Sequence, residues 1–326
     1  MTTSDFTVRR ATEDDRAAIV NLCRSSLGWK ADDPNERFFA WKHDLNPFGA
    51  SPAWVAEADG RLLGVRIFLR WRFRSSDGKL LRAVRAVDTA THPDAQGRGI
   101  FTRLTLDALP DLRDDGVDFI FNTPNDKSRP GYLKMGWAEV GRVPVAVRVA
   151  GVGRLSAVAG ARAAAEKWSQ PSAVGVSAPD AFADDDEVAS LLVVSSSSCQ
   201  LSTDRDIAYL RWRYSFDALH YRVVPVGDSI AAGAVVFRLR RRGTALEATI
   251  SELAVPSPSA ARSAIGSILR TTGADYAIAA GGPELLRAGF VPAPRLGPML
   301  TWKPMARTGV PKFSELGFGL GDVELF

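Results

Sequence analysis

The chain has few of the residues from which metal centres and covalent scaffolds are built. It contains two cysteines, Cys23 and Cys199, and three histidines, His43, His92 and His220. The cysteines lie far apart and the histidines form no ligand-spaced cluster, so neither a disulfide framework, a Cys-x-x-Cys pair nor a metal site is expected. Long apolar runs are also missing. No uninterrupted stretch reaches the ~18 residues of a membrane span, and Met1-Thr2-Thr3-Ser4-Asp5 has neither the basic nor the apolar region of a secretory signal. The expected location is the cytoplasm, with no membrane partner. Excess charge is small: 41 Lys and Arg against 37 Asp and Glu, both signs spread along the chain. That balance suits a small anionic ligand and does not demand nucleic acid.

At 326 residues the chain exceeds what one core usually holds, and two domains are expected. The first half opens with a strand, Phe6 to Arg10, and a helix that Thr12 caps ahead of Glu13, Asp14 and Asp15. A second helix over Glu36 to Asp44 carries Phe38, Phe39 and Trp41, aromatics that either line a cleft or pack the helix onto a sheet. Asp59-Gly60 is a hairpin signal. The strand after it sets Leu69, Trp71 and Phe73 on one face and Arg70, Arg72 and Arg74 on the other. Leu80 to Ala90 reads as a central strand, Ile100 to Leu112 as a helix, Gly116 to Asn122 as a strand, Lys127 to Met135 as a helix and Arg142 to Val149 as a closing strand.

The most informative stretch runs from Asp88 to Phe101. The strand reaches Pro93, then Gln96-Gly97-Arg98-Gly99 forms a glycine turn, and Phe101-Thr102-Arg103-Leu104-Thr105-Leu106 has apolar positions at helical spacing. The first N–H groups of a helix have no partner within it, and glycines let a pyrophosphate approach them closely. About thirty residues on stands Asn125-Asp126-Lys127-Ser128-Arg129-Pro130-Gly131-Tyr132-Leu133-Lys134-Met135-Gly136-Trp137. Together the two stretches resemble the GNAT acyltransferase superfamily, whose signature is (Arg/Gln)-x-x-Gly-x-(Gly/Ala), then Asn-x-x-(Ala/Ser)-x-x-x-Tyr-x-Lys-x-Gly-(Phe/Trp). Gln96, Gly99, Asn125, Ser128, Tyr132, Lys134, Gly136 and Trp137 fall at the matching places. Phe101 departs, standing where the family prefers Gly or Ala.

The resemblance implies an α/β (α+β) fold, with a mixed, mostly antiparallel sheet flanked by helices. It also implies acetyl-coenzyme A, or another acyl-coenzyme A, as co-substrate and a primary amine of a small molecule or aminoacyl group as acceptor. By the same resemblance, backbone N–H groups of Thr89, Ala90 and Thr91 hold the thioester carbonyl. Those of Gly97, Arg98, Gly99, Ile100, Phe101 and Thr102, next to Gln96, hold the pyrophosphate. Asn125 binds the pantetheine or orders its slot, beside Ser128, and Tyr132 protonates the leaving thiolate. The base stays open between Asp88, the terminal carboxylate of Phe326 as in Eis-type enzymes, and water. Two other readings stand beside the N-acetyltransferase. One is a catalytically silent ligand-binding module. The other is an aminoacyl-tRNA-using transferase, in which the Arg70 to Arg74 face would meet phosphate.

The second half repeats the first in outline. Asp186 follows Asp15, and Trp212 follows Trp41, by the same 171 residues. Glu252 answers Asp88, but Ser257-Pro258-Ser259-Ala260 replaces the glycine turn and Leu285 replaces Tyr132, so the second copy should not bind acyl-coenzyme A. This layout resembles tandem GNAT proteins such as mycothiol synthase and the Eis-type acetyltransferases. The expected organisation is a catalytic domain over 1–150, an Ala/Gly/Ser-rich connector over 151–179 with a helix from Arg154 to Trp168, a degenerate GNAT-like domain over 180–306, and a tail over 307–326.

Overall fold

The structure, a computed structural model, describes residues 5–161, 163–195, 199–306 and 309–324. Its first elements are β1 (Thr7–Arg10), α1 (Arg16–Leu27), α2 (Asn35–Phe39), β2 (Ala53–Ala58), β3 (Arg61–Ser75), β4 (Leu80–Thr91), α3 (Ile100–Asp114), β5 (Phe119–Asn122), α4 (Arg129–Lys134) and β6 (Ala138–Arg142). There follow β7 (Val145–Val149), α5 (Leu155–Gly160), β8 (Val176–Ser177), α6 (Ala178–Ala181), α7 (Asp185–Val194), β9 (Leu201–Thr203), α8 (Ile207–Arg213), β10 (Arg222–Pro225), β11 (Ala234–Arg242) and β12 (Ala245–Ala254). The last are α9 (Pro258–Thr272), β13 (Tyr276–Ala280), α10 (Glu284–Arg287), β14 (Val291–Pro292), β15 (Met299–Pro304), β16 (Leu316–Gly317) and α11 (Leu320–Val323).

The chain divides into two compact units, Met1–Gly141 with Met299–Lys312, and Arg142–Pro298 with Phe313–Phe326. Each unit centres on a mixed sheet. In the first, the strands run β1-β2-β3-β4-β5-β15-β6, and in the second β14-β7-β13-β12-β11-β10-β8. In the first sheet β4 and β5 are parallel, and in the second β12 and β13 are. The other registered neighbours along these two strand orders are antiparallel.

Two expectations change here. The strand near Val145 does not close the first sheet. It pairs with β13 in the second, and β15 takes its place beside β5. The units are therefore not cut at residue 150 or 307, and the first is completed by Met299–Lys312 from the far half of the sequence. The helix expected from Arg154 to Trp168 ends at Gly160. Beyond it, Glu166 and Gln170 donate backbone bonds to Arg241 and Leu239 of β11, so strand-like pairing replaces the helical ladder.

Local chemistry explains the elements of the first unit. Asp59 and Gly60 both take left-handed backbone angles, as a two-residue hairpin requires. Asp15 reaches back to the Thr12 amide at 2.8 Å and pairs with Arg9, fixing the start of α1. Ile100, Leu104, Ala108 and Leu112 lie along one face of α3 and pack with Trp54, Phe68, Val84 and Ile120 of the sheet in one core cluster. Leu69, Trp71 and Phe73 are buried. Arg70 donates to Asp115 and to the Ala50 carbonyl, and Arg72 lies over Phe48, so this face is engaged within the unit.

Candidate active site

In the first unit the parallel pairing of β4 with β5 covers only Ala83 to Arg85 against Phe119 to Phe121. Past that point the strands separate, and the rest of β4 faces a slot. On its other edge β4 carries a bulge: Val65 opposes Ala90 and Ile67 opposes Val87, which leaves Asp88 and Thr89 against Arg66 alone. Asp88 sits in the left-handed region at φ 42°. The chain then turns through Gly97 and Gly99, at φ 78° and 76°, into α3. No heavy atom lies within 4 Å of a Cβ built on either glycine, so these positions need glycine for backbone angle rather than for room. The backbone bond of Arg103 to the Gly99 carbonyl, at 3.0 Å, comes after Ile100, Phe101 and Thr102, whose amides stand at the open end of the helix.

A cleft of about 440 Å³ opens at this point. Of the residues expected to hold the donor, Thr89, Ala90, Thr91, Gln96, Gly97, Gly99, Ile100, Phe101, Asn125 and Ser128 line it. Arg98 and Thr102 do not line it. The Arg98 side chain turns to Asp5, at 3.7 Å, and Thr102 is exposed on the outer side of the helix. Asn125 has a clear local task, since its Oδ1 accepts from the amides of Lys127 and Ser128 and orders the entry into α4. Ser26, Lys127 and Gly131 also line the cleft, although nothing in their sequence context set them apart. The residues present fit a pyrophosphate-bearing thioester: a helix start that no described side chain caps, glycines with open space beside them, and a slot along a strand edge.

Tyr132 belongs to the core, 4 % exposed, with its ring edge-on to Phe101 at 5.3 Å and to Trp137 at 5.4 Å. Among the described residues nothing bonds to its hydroxyl. Phe101 explains itself here: its ring lies where a Cβ on residue 131 would come within 2.9 Å, so the aromatic at 101 and the glycine at 131 belong to one packing solution.

Asp88 is the second expected catalytic residue, and its surroundings define it. A π-helical turn over Ala40–Asp44 presents Lys42 and His43 together, and both reach the Asp88 carboxylate, at 2.7 and 2.8 Å. His43 accepts from the Ser51 hydroxyl on its other ring nitrogen at 3.0 Å when Nε2 carries the proton toward Asp88. Burial pushes the Asp88 pKa up, but Lys42 and His43 outweigh it and hold the group well below the ordinary carboxylate range. Burial holds His43 below its usual value, hence neutral at pH 7. A carboxylate so stabilised in its charged form is a poor proton acceptor. Phe38, Phe39 and Trp41 are buried beside this turn and are absent from the cleft wall.

The second unit supports a structural reading of this acid. Its β12 carries a bulge at the matching place, between the pairs Val236–Glu252 and Phe237–Ile250. Glu252 there is held by Arg205 at 3.1 Å and by the Tyr214 hydroxyl at 2.7 Å, and Tyr214 stands 171 residues after His43. Both units thus tie a bulge carboxylate to the helical segment that carries Trp41 in the first and Trp212 in the second. The helix start differs. Ser257 caps α9 with its own hydroxyl, accepting from the Ala260 amide, and Pro258 supplies no N–H. Leu285 is buried where the first unit has Tyr132. Phe326, the third candidate base, lies outside the described residues. Two residues before it, Glu324 is buried against Arg238 and Arg240 of the second unit. Among the described residues no group of three or more His, Cys, Asp or Glu could hold a metal, and no helix is long and apolar enough to cross a membrane.

Residues 7–140 match the family described as "Acetyltransferase (GNAT) domain". No curated protein matches the sequence. Among solved structures, a probable N-acyltransferase from Enterococcus faecalis is similar with a TM-score of 0.62 at 12 % identity, over 92 % of this chain and 73 % of the other. Eis1 from Mycobacterium abscessus is similar with a TM-score of 0.56 at 16 % identity, over 92 % and 73 %. A putative acetyltransferase from Pyrococcus horikoshii reaches 0.56 at 14 % identity, over 97 % and 94 %.

Proposed function

With residues 7–140 a member of the GNAT acetyltransferase family, we propose that the chain transfers an acetyl group from acetyl-coenzyme A to a primary amine of a small molecule or aminoacyl group. The observation that carries this reading is the glycine turn, which opens α3, uncapped by any described side chain, at the mouth of the slot beside β4. The amides from Gly97 to Thr102 would take the pyrophosphate, and the pantetheine would run along the separated edge of β4 past Asn125 and Ser128.

A neutral amine attacks the thioester carbonyl carbon and a C–N bond forms. The carbonyl electron pair moves to oxygen, where the amides of Thr89 to Thr91 stabilise it. As the intermediate collapses, the C–S bond breaks with its pair on sulfur, and Tyr132 gives that sulfur its proton. The surplus amine proton leaves through water, because Asp88 is committed to Lys42 and His43. Solvent then restores the Tyr132 proton.

Titration calorimetry with acetyl-coenzyme A, on the wild type and on Gly99→Glu, tests the donor site. Binding by the wild type that Gly99→Glu abolishes, with the variant still melting cooperatively, supports the reading; no binding, or equal binding by both, defeats it. Thiol release across a panel of primary amines then separates a transferase from a module that binds without turnover.

A further inference from the structure

The least explained group in the first unit is Arg66. Its side chain is fully buried, and the Cζ carbon lies 5.0 Å from the centre of the Phe68 ring, 5.1 Å from that of Tyr132 and 5.4 Å from that of Phe101. One nitrogen, Nη1, donates to the Thr89 hydroxyl. Among the described residues Nε and Nη2 donate to nothing, and no carboxylate pairs with the guanidinium. Asp88, its neighbour across the bulge, spends its charge on Lys42 and His43. The second unit shows how this chain settles buried arginines elsewhere. Arg238 has the Glu324 carboxylate and the Lys167 carbonyl, and Arg213 has the Gly321 carbonyl, Tyr221 and Glu324.

A buried cation without an anion weakens a fold, and replacing it by an apolar side chain of similar volume is commonly neutral or stabilising. Breaches of this kind concentrate at functional sites. Thr89 and Phe101, which touch Arg66, both line the donor cleft, and Tyr132, the proposed acid, is buried behind that wall, edge-on to Phe101. We propose that Arg66 is a positioning residue for acyl transfer, acting through Tyr132 and Thr89 to stabilise the negative charge that appears when the thioester C–S bond breaks. That pair of electrons rests first on sulfur. Once Tyr132 has given its proton to the thiolate, the charge lies on the phenolate oxygen, against whose ring Arg66 is packed, until solvent returns a proton. Phe101 then belongs to the device: its ring covers Arg66 and keeps water off a charge that water would screen. This also accounts for an aromatic at a position where the family has glycine or alanine.

The inference rests on the proposed acyl transfer, and its test separates the two. Arg66→Met removes the charge and keeps the volume, and Arg66→Lys keeps the charge. Melting temperature, acetyl-coenzyme A affinity and the steady-state kcat of thiol release are measured for the wild type and both variants, with the best amine from the panel. The expected result for Arg66→Met is a melting temperature equal to or above the wild type, unchanged donor affinity and KM, and a kcat lower by about a hundredfold, the usual loss of one preorganised electrostatic group. Arg66→Lys should recover part of that loss. Wild-type kcat in Arg66→Met overturns the proposal, and so does a melting temperature several degrees lower with kcat per folded molecule unchanged. If Arg66→Met does not fold, Arg66→Gln takes its place; if neither folds, Arg66 is a structural group and the proposal falls. A wild type that binds no acetyl-coenzyme A overturns the proposed function instead, and a rise in melting temperature in Arg66→Met still shows the cation held at a cost to the fold.

Discussion

Asp88→Asn distinguishes a base from a brace. Asparagine keeps the shape of aspartate and tolerates the left-handed backbone found at this position, so the substitution removes charge without adding strain. Lys42, 4 % exposed, is left as a buried cation. At 2.7 Å the lost attraction is about 6 kcal/mol gross at an effective dielectric of about 20. The net cost of removing one partner from a buried pair is about 3–5 kcal/mol, much of it the stranded charge. For a unit of this size each kcal/mol moves the melting temperature by about 2–4 °C, so a fall of about 10 °C is expected. Turnover per folded molecule, measured well below the melting range, should stay close to wild type, whereas loss of a general base lowers kcat by about 10²–10⁴. Adding Lys42→Met removes the stranded cation and should return part of the stability. The reasoning is refuted if Asp88→Asn melts with the wild type and yet loses a hundredfold or more in kcat.

Glu324 anchors the chain end within the second unit. Burial pushes its pKa up, but Arg238, Arg240 and Arg213 bring it down to about 2. The folded value lies below that of an ordinary glutamate, so its stabilisation is complete above about pH 4.5 and is lost as pH falls toward 2. At about 1.4 kcal/mol per pH unit it amounts to about 3 kcal/mol. Glu324→Gln should therefore speed amide exchange in β11 and β12 at pH 7, with the difference from wild type shrinking below pH 4; identical exchange at pH 7 contradicts this assignment. Gly64 offers a steric test. A Cβ there would meet Ile100 at 2.5 Å and Leu104 at 3.1 Å, so Gly64→Ala must displace the first turns of α3. We expect a loss of about 1–3 kcal/mol, as for an overpacked core, and a raised KM for acetyl-coenzyme A, and unchanged thermal melting would contradict it.

What could be read from the sequence is what depends on neighbours along the chain. The glycine turn and the Asp59-Gly60 hairpin each close within a few residues, and each appears where the residue pattern put it. Partners distant in sequence were out of reach. β7 and β15 are both short alternating segments, and nothing in alternation says that one pairs with β13 and the other with β5. His43 and Ser51 looked unremarkable because the acid that gives them meaning lies 45 residues from the histidine. Arg66 did leave a trace, a lone arginine inside the apolar run from Leu62 to Leu69, but a single break in a strand cannot be told from a solvent-facing position without the bulge that turns it inward.

Comparing the two units separates frame from chemistry. Both have the parallel strand pair, the bulge, and a bulge acid fastened to the preceding helical segment. Features present in both cannot account for a donor site expected in only one, so Asp88 belongs to the frame. What the second unit lacks is the open helix start, given over to Ser257 and Pro258, and the tyrosine, given over to Leu285. Its buried arginines carry carboxylate partners, whereas Arg66 beside Tyr132 has none among the described residues. The amides open onto the cleft and the unanswered cation lies behind Thr89 and Phe101 of its wall; under the proposed function the first suits the anion that holds the donor and the second the charge released when its thioester breaks. A reaction that begins with a bound anion and ends by creating another needs both.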